Sequence, residues 1–311
     1  MKPVIAVVGG FLGAGKTTLI LDAARLLKQR GQRVAIVMND QGDELVDTHY
    51  ARAQGVACDQ VTGGCFCCRF PDLLEAAGRL LESQPDVIFA EAVGSCADIV
   101  ATTLRPLLRD HRERFRVAPL TVVLHPERQF NDADLDFLYR NQVAEADLLF
   151  QRGDSVEHWL DRLLSGSVEA GATKLDIDYG RYAEAEAALA WMNARVTALA
   201  APPISAPMLV GPLLDRLEQH IRIVHLKLFA DSDAGYLKAA LTGNGQDPQV
   251  DGPLDASPSA QHDILLNLRA LADPDSLRAI VEREFAALPA TLVWQQVQCF
   301  RPSAPVPSCR L

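Results

Sequence analysis

A glycine-rich segment follows the first apolar run of the chain and constrains the fold more than any other feature. Residues 10–17 read Gly-Phe-Leu-Gly-Ala-Gly-Lys-Thr, directly after the apolar run Val4–Val8 and before residues typical of a helix start. A loop with this spacing binds phosphate when it lies between a buried strand and a helix N-terminus, because its backbone N–H groups and the helix dipole then face the anion. The sequence therefore predicts an α/β chain that binds a nucleoside triphosphate.

The side chains at the end of this loop have distinct predicted roles. Lys16 brings a positive charge to the β- and γ-phosphates, and the Thr17 hydroxyl can bind Mg²⁺. The predicted nucleotide-binding residues of the loop are Gly10, Gly13, Ala14, Gly15, Lys16, Thr17 and Thr18.

Three carboxylates follow apolar runs that are predicted to be strands. Glu91 ends the run Val87–Ala90, where a buried charge needs a partner such as Mg²⁺ or the attacking water. Asp40 and Asp43 follow the run that ends at Met38. We expect Thr17, Asp40 and Glu91 to hold Mg²⁺, and Lys16, Asp43 and Glu91 to be catalytic. The alternatives are a solvated acidic loop for the two aspartates and an exposed strand-end carboxylate for Glu91.

A cluster of three cysteines forms the second strong motif. Cys65, Cys67 and Cys68 follow two glycines, in a chain that has only 7 cysteines. Three thiolates this close can converge on one soft or borderline metal ion, so we predict a site for Zn²⁺ or another divalent transition metal. A redox pair and buried structural thiols are the alternatives. Cys58 and Cys96 could each add a fourth thiolate, but a buried free cysteine is the favoured interpretation for both.

The alternation of apolar runs and amphipathic stretches predicts a doubly wound, mostly parallel sheet in a P-loop NTPase domain. The strands are expected at Val4–Val8, Val34–Met38, Val87–Ala90, Leu120–Leu124 and Leu148–Phe150, and Ala183–Leu199 is expected to be helical. We place the nucleotide-binding domain at residues 1–200, a proline-containing linker at 201–220 and a smaller α+β domain at 221–311.

Composition limits the partners. The formal net charge of −10 argues against nucleic acid and against an anionic membrane surface, since both require clustered positive charge. Because the first residues enter a core strand directly and no apolar run approaches the length of a membrane span, we expect a cytoplasmic protein.

The phosphate loop followed by Gly-Gly-Cys-Phe-Cys-Cys resembles the CobW-like metal-associated GTPases, relatives of the UreG and HypB nickel-insertion proteins. The resemblance covers roughly residues 3–165. It includes Asn39–Asp43, similar to the family's switch segment, and Glu91–Gly94, similar to its Walker B ending. It implies nucleotide-driven handling of a metal or a metal-containing cofactor, with GTP, Mg²⁺, a client metalloprotein and a nucleotide-dependent homodimer as the expected partners.

Base recognition departs from that family's Asn-Lys-x-Asp motif. Here the last strand of the sheet leads into Gln151-Arg152-Gly153-Asp154. The Asp154 carboxylate can accept hydrogen bonds from both guanine N1–H and N2–H, and Arg152 can cover the face of the base. Gln151 keeps the amide of Asn on a longer side chain. We therefore expect a weakened guanine preference, with ATP as the alternative nucleotide and an unrelated polar turn as the alternative interpretation.

Three functions are consistent with these motifs. The favoured one is a nucleoside triphosphatase that couples hydrolysis to metal binding and to delivery into a client metalloprotein. The second is an NTP-driven activator of a corrinoid or other metallocofactor protein, with only structural metal. The third is a small-molecule kinase, whose nucleotide consumption would depend strictly on an acceptor.

Overall fold

The computed structural model describes residues 2–43, 45–126 and 130–311. Contacts between Cα atoms divide the chain into two compact units. The first unit contains residues 1–41, 51–186 and 303–311, and the second contains residues 42–50 and 187–302. Within the described residues, no helix combines the length and the apolar composition needed to cross a membrane.

The first unit is built around a parallel sheet. Its strands are β1 (Val4–Gly10), β2 (Val34–Asn39), β3 (Ala57–Val61), β4 (Val87–Glu91), β5 (Arg116–Val117), β6 (Thr121–Val123) and β7 (Leu148–Phe150). Over the described part of the chain the order is β3-β2-β4-β1-β6-β7, with β5 beside β1, and every pairing is parallel. The carboxyl ends of β1, β2 and β4 therefore lie at one edge of the sheet, where Gly10, Asn39 and Glu91 end their strands.

Helices connect these strands, as expected for parallel neighbours. They are α1 (Lys16–Gln29), α2 (Val46–Ala53), α3 (Phe70–Leu80), α4 (Arg105–Asp110), α5 (Ala133–Ala144), α6 (Val156–Ser165) and α7 (Tyr179–Ala187), with a 3₁₀ turn at Leu81–Ser83 and a π-helical turn at Val100–Leu104. Pro71 lies in the first turn of α3, where its missing N–H costs no helical hydrogen bond. The Asp132 carboxylate caps α5 by accepting from the backbone N–H groups of Asp134 and Leu135.

The second unit contains an antiparallel sheet and two helices that pack against it. Its elements are β8 (Ala190–Ile204), α8 (Ala206–His220), β9 (Ile223–Ser232), β10 (Gly235–Leu241), β11 (Gln249–Asp251), β12 (Ser259–Ala270), α9 (Pro274–Ala286) and β13 (Thr291–Phe300). For the residues described, the strand order is β11-β10-β9-β12-β8-β13. Side chains of one sheet face form a single apolar core with α8 and α9, to which Leu226, Leu266 and Phe285 contribute.

Residues 42, 43 and 45–50 cover the other face of this second sheet. Side chains of a strand alternate between faces, so Lys227 lies opposite the core residues Leu226 and Leu228. Lys227 forms an ion pair with Asp47 there, with only about one sixth of each side chain exposed. The backbone N–H of Val46 donates to the Asn267 side chain at 2.9 Å. The start of α2 is therefore anchored to the second sheet by buried polar contacts.

The structure confirms the predicted fold class, and all five predicted strands of the parallel sheet are present. The expectation that Ala183–Leu199 is helical was wrong, because α7 ends at Ala187 and β8 begins at Ala190. β8 pairs with both β12 and β13, and those backbone hydrogen bonds override the helix propensity of its alanines.

The compact units also differ from the predicted domain limits. The larger segment of the second unit starts at residue 187, and the predicted linker 201–220 forms the end of β8 and all of α8.

The Asp47–Lys227 pair predicts a stability effect. Burial alone would raise the pKa of Asp47, but the positive charges of Lys227 and Lys238 lower it below its ordinary value. Replacing Lys227 with Met should cost about 3 kcal/mol of unfolding free energy, because it leaves a buried carboxylate without its main partner. Urea unfolding at pH 7 measures this. The double variant Asp47→Asn, Lys227→Met should recover part of the loss, and an equal or larger loss would contradict the charge argument.

Candidate functional site

The phosphate loop has the shape that its glycines allow. Gly10 has a φ of 134°, and a Cβ atom there would lie 2.6 Å from the carbonyl oxygen of Val123 on the neighbouring strand. Gly15 has a φ of 99° at the start of α1. Side chains are strongly disfavoured at both positions, so the glycine spacing is a requirement of the backbone.

Lys16 lies inside this loop. Its side chain is buried, and its Nζ donates to the carbonyl oxygens of Gly10 at 2.9 Å and Phe11 at 3.3 Å. The loop therefore holds an ammonium group at its centre, next to the N-terminus of α1. Thr18, the other predicted residue of this turn, is exposed at the start of the helix.

Thr17 and Glu91 meet at the carboxyl edge of the sheet. The Thr17 hydroxyl donates to Glu91 Oε1 at 3.0 Å, and both residues are buried. A hydroxyl and a carboxylate are oxygen donors of the type that Mg²⁺ binds, and they lie beside the loop that would hold the phosphates. These donors fit the predicted magnesium site, and the alternative of an exposed carboxylate at Glu91 does not apply.

The two aspartates after β2 are placed in different units. Asp40 follows β2 in the first unit, and its backbone N–H donates to Val61 at 3.1 Å. Asp43 belongs to the second unit, where its carboxylate accepts from the Gln298 side chain. The structure thus brings together Lys16, Thr17 and Glu91, whereas the magnesium role of Asp40 and the catalytic role of Asp43 stay predictions.

The predicted base-recognition residues form an exposed turn after β7. The Asp154 backbone N–H donates to Gln151 O at 2.9 Å, and the Asp154 carboxylate accepts from the Gln151 N–H at 2.8 Å. Gln151, Arg152 and Asp154 are all exposed. One carboxylate oxygen of Asp154 therefore stabilises the turn itself, and the role of this turn in base recognition stays a prediction.

The three predicted metal-binding cysteines converge. The sulfur atoms of Cys65, Cys67 and Cys68 lie within 4.8 Å of one another, with Cys65 to Cys68 at 3.6 Å and Cys67 to Cys68 at 3.7 Å. A tight turn, in which the Cys68 N–H donates to Cys65 O at 3.0 Å, folds the three thiols together just before α3. These are free thiols, and their chemistry fits a thiolate-bound transition metal.

Asn39, the last residue of β2, holds the cysteine turn in place. Its buried amide nitrogen donates to Gly64 O at 2.7 Å, and its amide oxygen accepts from the Phe66 N–H at 2.9 Å. The sequence motif that contains Asn39 pointed to a switch segment, and the contact with the cysteine turn was not predicted. Only the parallel pairing of β2 with β3 brings the two segments together.

Cys96 is a fourth thiol beside the cluster. It lies in the loop after β4, is buried, and has its sulfur 3.9 Å from that of Cys67. The hydrogen bonds that Cys96 shares with Cys65 and Cys67 lower its pKa to about 6. The hydrogen bond that Cys68 shares with Cys65 is the main reason that the pKa of Cys68 is raised to about 11.

Residues 303–311 return to the first unit and cover the cysteine turn. The Ser308 N–H donates to Cys67 O at 2.8 Å, and the Ser308 hydroxyl donates to Cys68 O at 2.7 Å. Arg310 forms an ion pair with the fully buried Asp98. The Asp98 carboxylate accepts hydrogen bonds from Arg310 and from the Tyr179 hydroxyl.

The fold and this site define a P-loop NTPase. Residues 4–162, just over half of the chain, match the family model of the CobW/HypB/UreG nucleotide-binding domain. The chain belongs to the CobW/HypB/UreG family.

Individual relatives match over shorter segments. The chain is 37% identical over 97 residues to the zinc chaperone CobW of Sinorhizobium sp, covering 28% of this chain and 27% of that protein. It is 36% identical over 78 residues to the zinc chaperone YjiA of Escherichia coli (strain K12), covering 25% and 24%. The matches cover less than half of the length of these curated relatives.

Two solved structures align with the chain over different lengths. The Zn(II)-bound YjiA GTPase from E. coli aligns with a TM-score of 0.33 and 16% identity, covering 93% of this chain and 99% of that one. HypB from Helicobacter pylori in complex with nickel aligns with a TM-score of 0.32 and 18% identity, covering 52% and 74%.

A buried carboxyl beside this site predicts a pH-dependent stability. Burial raises the pKa of Glu186 from 4.5 to about 8, and its carboxyl accepts from the Ser95 hydroxyl at 2.5 Å. The folded protein thus keeps a proton that the unfolded chain loses. This contribution to stability is complete below pH 4.5 and is lost as the pH rises through about 8.

In the Glu186→Gln variant the free energy of unfolding should fall less as the pH rises, because the amide stays neutral and still accepts from Ser95. Urea unfolding of metal-free, reduced protein at several values between about pH 5 and pH 8 checks this. Glu184→Gln, an exposed position on the same helix, is the matched control. The same pH slope in both variants would contradict the assignment.

Proposed function

We propose that this protein is a GTPase that binds zinc, or another divalent transition metal, and uses hydrolysis to deliver it to a client metalloprotein. Membership of the CobW/HypB/UreG family supports the link between a nucleotide and a metal. The names of the matching relatives support zinc as the metal and a chaperone role. Three features of this chain support the proposal as well: the phosphate loop, the cysteine turn and the contact between Asn39 and that turn.

The nucleotide half depends on the phosphate loop and on Glu91. Lys16 would bind the β- and γ-phosphates, and Thr17, Glu91 and Asp40 would hold Mg²⁺. When bound, Mg²⁺ would neutralise negative charge on the phosphates. Glu91 would also orient the attacking water, because its carboxylate lies at the end of β4 beside Thr17.

The metal half depends on Cys65, Cys67 and Cys68. Thiolates favour zinc and other borderline or soft ions over Mg²⁺, so the two metal sites of this unit would not compete for one ion. The thiolate-bound metal would be the cargo of the protein, whereas Mg²⁺ would belong to the nucleotide site. Binding would release protons from the thiols, so the apparent affinity should rise with pH.

The hydrogen bonds between Asn39 and the cysteine turn are the main support for the proposal. This one buried side chain ends β2, where the predicted switch segment begins, and it bonds to the cysteine turn at both Gly64 and Phe66. A movement of the switch segment on hydrolysis would pull on Asn39 and therefore on the turn that positions the thiols. Breaking a buried hydrogen bond of this type leaves an unsatisfied polar group, which costs about 1–3 kcal/mol. That cost is large enough to change metal affinity by one to two orders of magnitude.

A specific observation favours the second function, an NTP-driven activator with only structural metal. Cys65 and Cys67 are almost completely buried, and Ser308 bonds to the cysteine turn. A metal enclosed in this way would be retained. The two functions differ in whether GTP changes the rate of metal release.

One prediction concerns the preference for the guanine base of GTP over the adenine base of ATP. GTP should bind better than ATP by about 10- to 100-fold, because adenine leaves the Asp154 carboxylate without the two donors of guanine. Asp154→Asn should remove that preference, since its amide still accepts from the Gln151 N–H but places a donor against guanine. Fluorescent-nucleotide titration measures both affinities, with Glu169→Ala as an exposed control. Equal binding of ATP and GTP by the unmodified protein would make it an ATPase or a general NTPase.

The second prediction tests the coupling. Protein loaded with one zinc ion is mixed with a chromogenic chelator, and release is followed with and without GTP and Mg²⁺. GTP should accelerate release at least about tenfold, because the loss of one buried hydrogen bond accounts for that change. Asn39→Asp keeps an acceptor for Phe66 but loses both donors, so it should keep hydrolysis and lose the acceleration.

Two controls complete this experiment. Lys16→Ala should lose both hydrolysis and acceleration, whereas Lys28→Ala, on the exposed side of α1, should keep both. Hydrolysis by the unmodified protein with an unchanged release rate would favour the structural-metal function. Full hydrolysis by a folded Lys16→Ala protein would overturn the NTPase assignment.

A further inference from the structure

Cys96 is a fourth thiol in contact with the cysteine turn. The sequence alone favoured a buried free cysteine at this position, because Cys96 is 28 residues beyond Cys68 and belongs to a different segment. In the structure its sulfur lies 3.9 Å from Cys67, and the Cys65 thiol interacts with it as well. The side chain is 1% exposed.

The distances between the thiols form part of a tetrahedron. A zinc ion bound to four sulfurs at about 2.3 Å requires sulfur–sulfur edges of about 3.8 Å. Three edges of the group have this length: Cys65 to Cys68 at 3.6 Å, Cys67 to Cys68 at 3.7 Å and Cys67 to Cys96 at 3.9 Å. The group in which every pair of sulfurs lies within 4.8 Å contains Cys65, Cys67 and Cys68 but not Cys96. Cys96 would therefore move closer to the turn when a metal binds.

We propose that Cys96 is the fourth ligand, so that Cys65, Cys67, Cys68 and Cys96 form a closed four-thiolate metal site. The inference rests on the proposed metal-binding function and adds the ligand number and the segment that supplies the last ligand. A site with four protein ligands leaves no position for water or for an incoming ligand. Release of the metal would then require one sulfur to withdraw.

Cys96 is the sulfur that would withdraw from the metal, because of its position in the chain. Only four residues separate it from Glu91, the carboxylate that contacts Thr17 of the phosphate site. Gly94 lies between them with no space for a side chain, because a Cβ atom there would be 2.9 Å from the backbone nitrogen of Leu12 in the phosphate loop. A change around Glu91 is therefore transmitted along a short, closely packed segment.

Gln142 fixes the same segment from the other side. Its amide nitrogen donates to the carbonyl oxygens of Gly94 at 2.9 Å and Cys96 at 3.0 Å. The Cys96 backbone is thus held next to the cysteine turn. Movement of the segment would take Cys96 away and leave a three-thiolate site with one open position.

X-ray absorption of the reduced, zinc-loaded full chain tests the proposal directly. Four sulfur neighbours are expected. Three sulfurs with one nitrogen or oxygen neighbour would overturn the role of Cys96 and leave the three-cysteine site intact. A protein that binds no zinc through sulfur would overturn the proposed metal function itself, so the two failures are distinguishable.

Substitutions provide an independent measurement with Co²⁺ as the probe. Cys96→Ser and Cys96→Ala should each lower the sulfur-to-cobalt charge-transfer intensity by about a quarter and weaken binding at least about tenfold, as expected for a site that changes from four to three thiolates. Cys58→Ser, a cysteine on β3, should leave both unchanged. An unchanged spectrum in either folded Cys96 variant would contradict the proposal. The ligand count in the unmodified protein decides it if both variants fail to fold.

Discussion

Parallel pairing of β2, β4 and β1 determines where every chemical group of the first unit lies. Each of these strands ends at the same edge of the sheet, and each is followed by a different functional segment. The phosphate loop follows β1, Asn39 ends β2, and Glu91 ends β4. Because the register pairs Val8 with Glu91, the carboxylate cannot move along its strand without breaking the hydrogen bonds of the central pair. The sheet is thus a rigid support for a site made of loops.

The polar groups at this edge connect the nucleotide and metal sites. Lys16 and the Thr17–Glu91 pair lie beside the phosphate loop, and Asn39 joins the end of β2 to the cysteine turn. Groups buried in this way are costly to leave unsatisfied, so each has a strong preference for one arrangement. A phosphate that changed one of these contacts would shift the others, which is the physical basis for the coupling that we propose between hydrolysis and metal binding.

Sequence patterns predicted which segments lie at the carboxyl edge of the parallel sheet, but they did not predict the contacts between those segments. The apolar runs of β1, β2, β4 and β7 and the spacing of Cys65, Cys67 and Cys68 are local signals, and the structure agrees with them. The contacts of Asn39 and Cys96 were missed because they join segments that are distant in sequence and become neighbours only through strand order. The second unit was predicted less well for a related reason. The alanine-rich β8 has helical composition, and only its pairing with two partner strands makes it extended.

The four thiols lie on two different segments, which would allow the same site both to retain a metal and to release it. Cys65, Cys67 and Cys68 lie on one tight turn, so they move as a group, whereas Cys96 lies on the segment that begins at Glu91. A site made of this turn alone would respond to the nucleotide only through the hydrogen bonds of Asn39. A site shared between that turn and the Glu91 segment would bind a metal tightly only while the Cys96 sulfur lies close to the three sulfurs of the turn. The strength of metal binding then depends on the position of a segment that contacts the phosphate loop, which is what a nucleotide-controlled metal carrier requires.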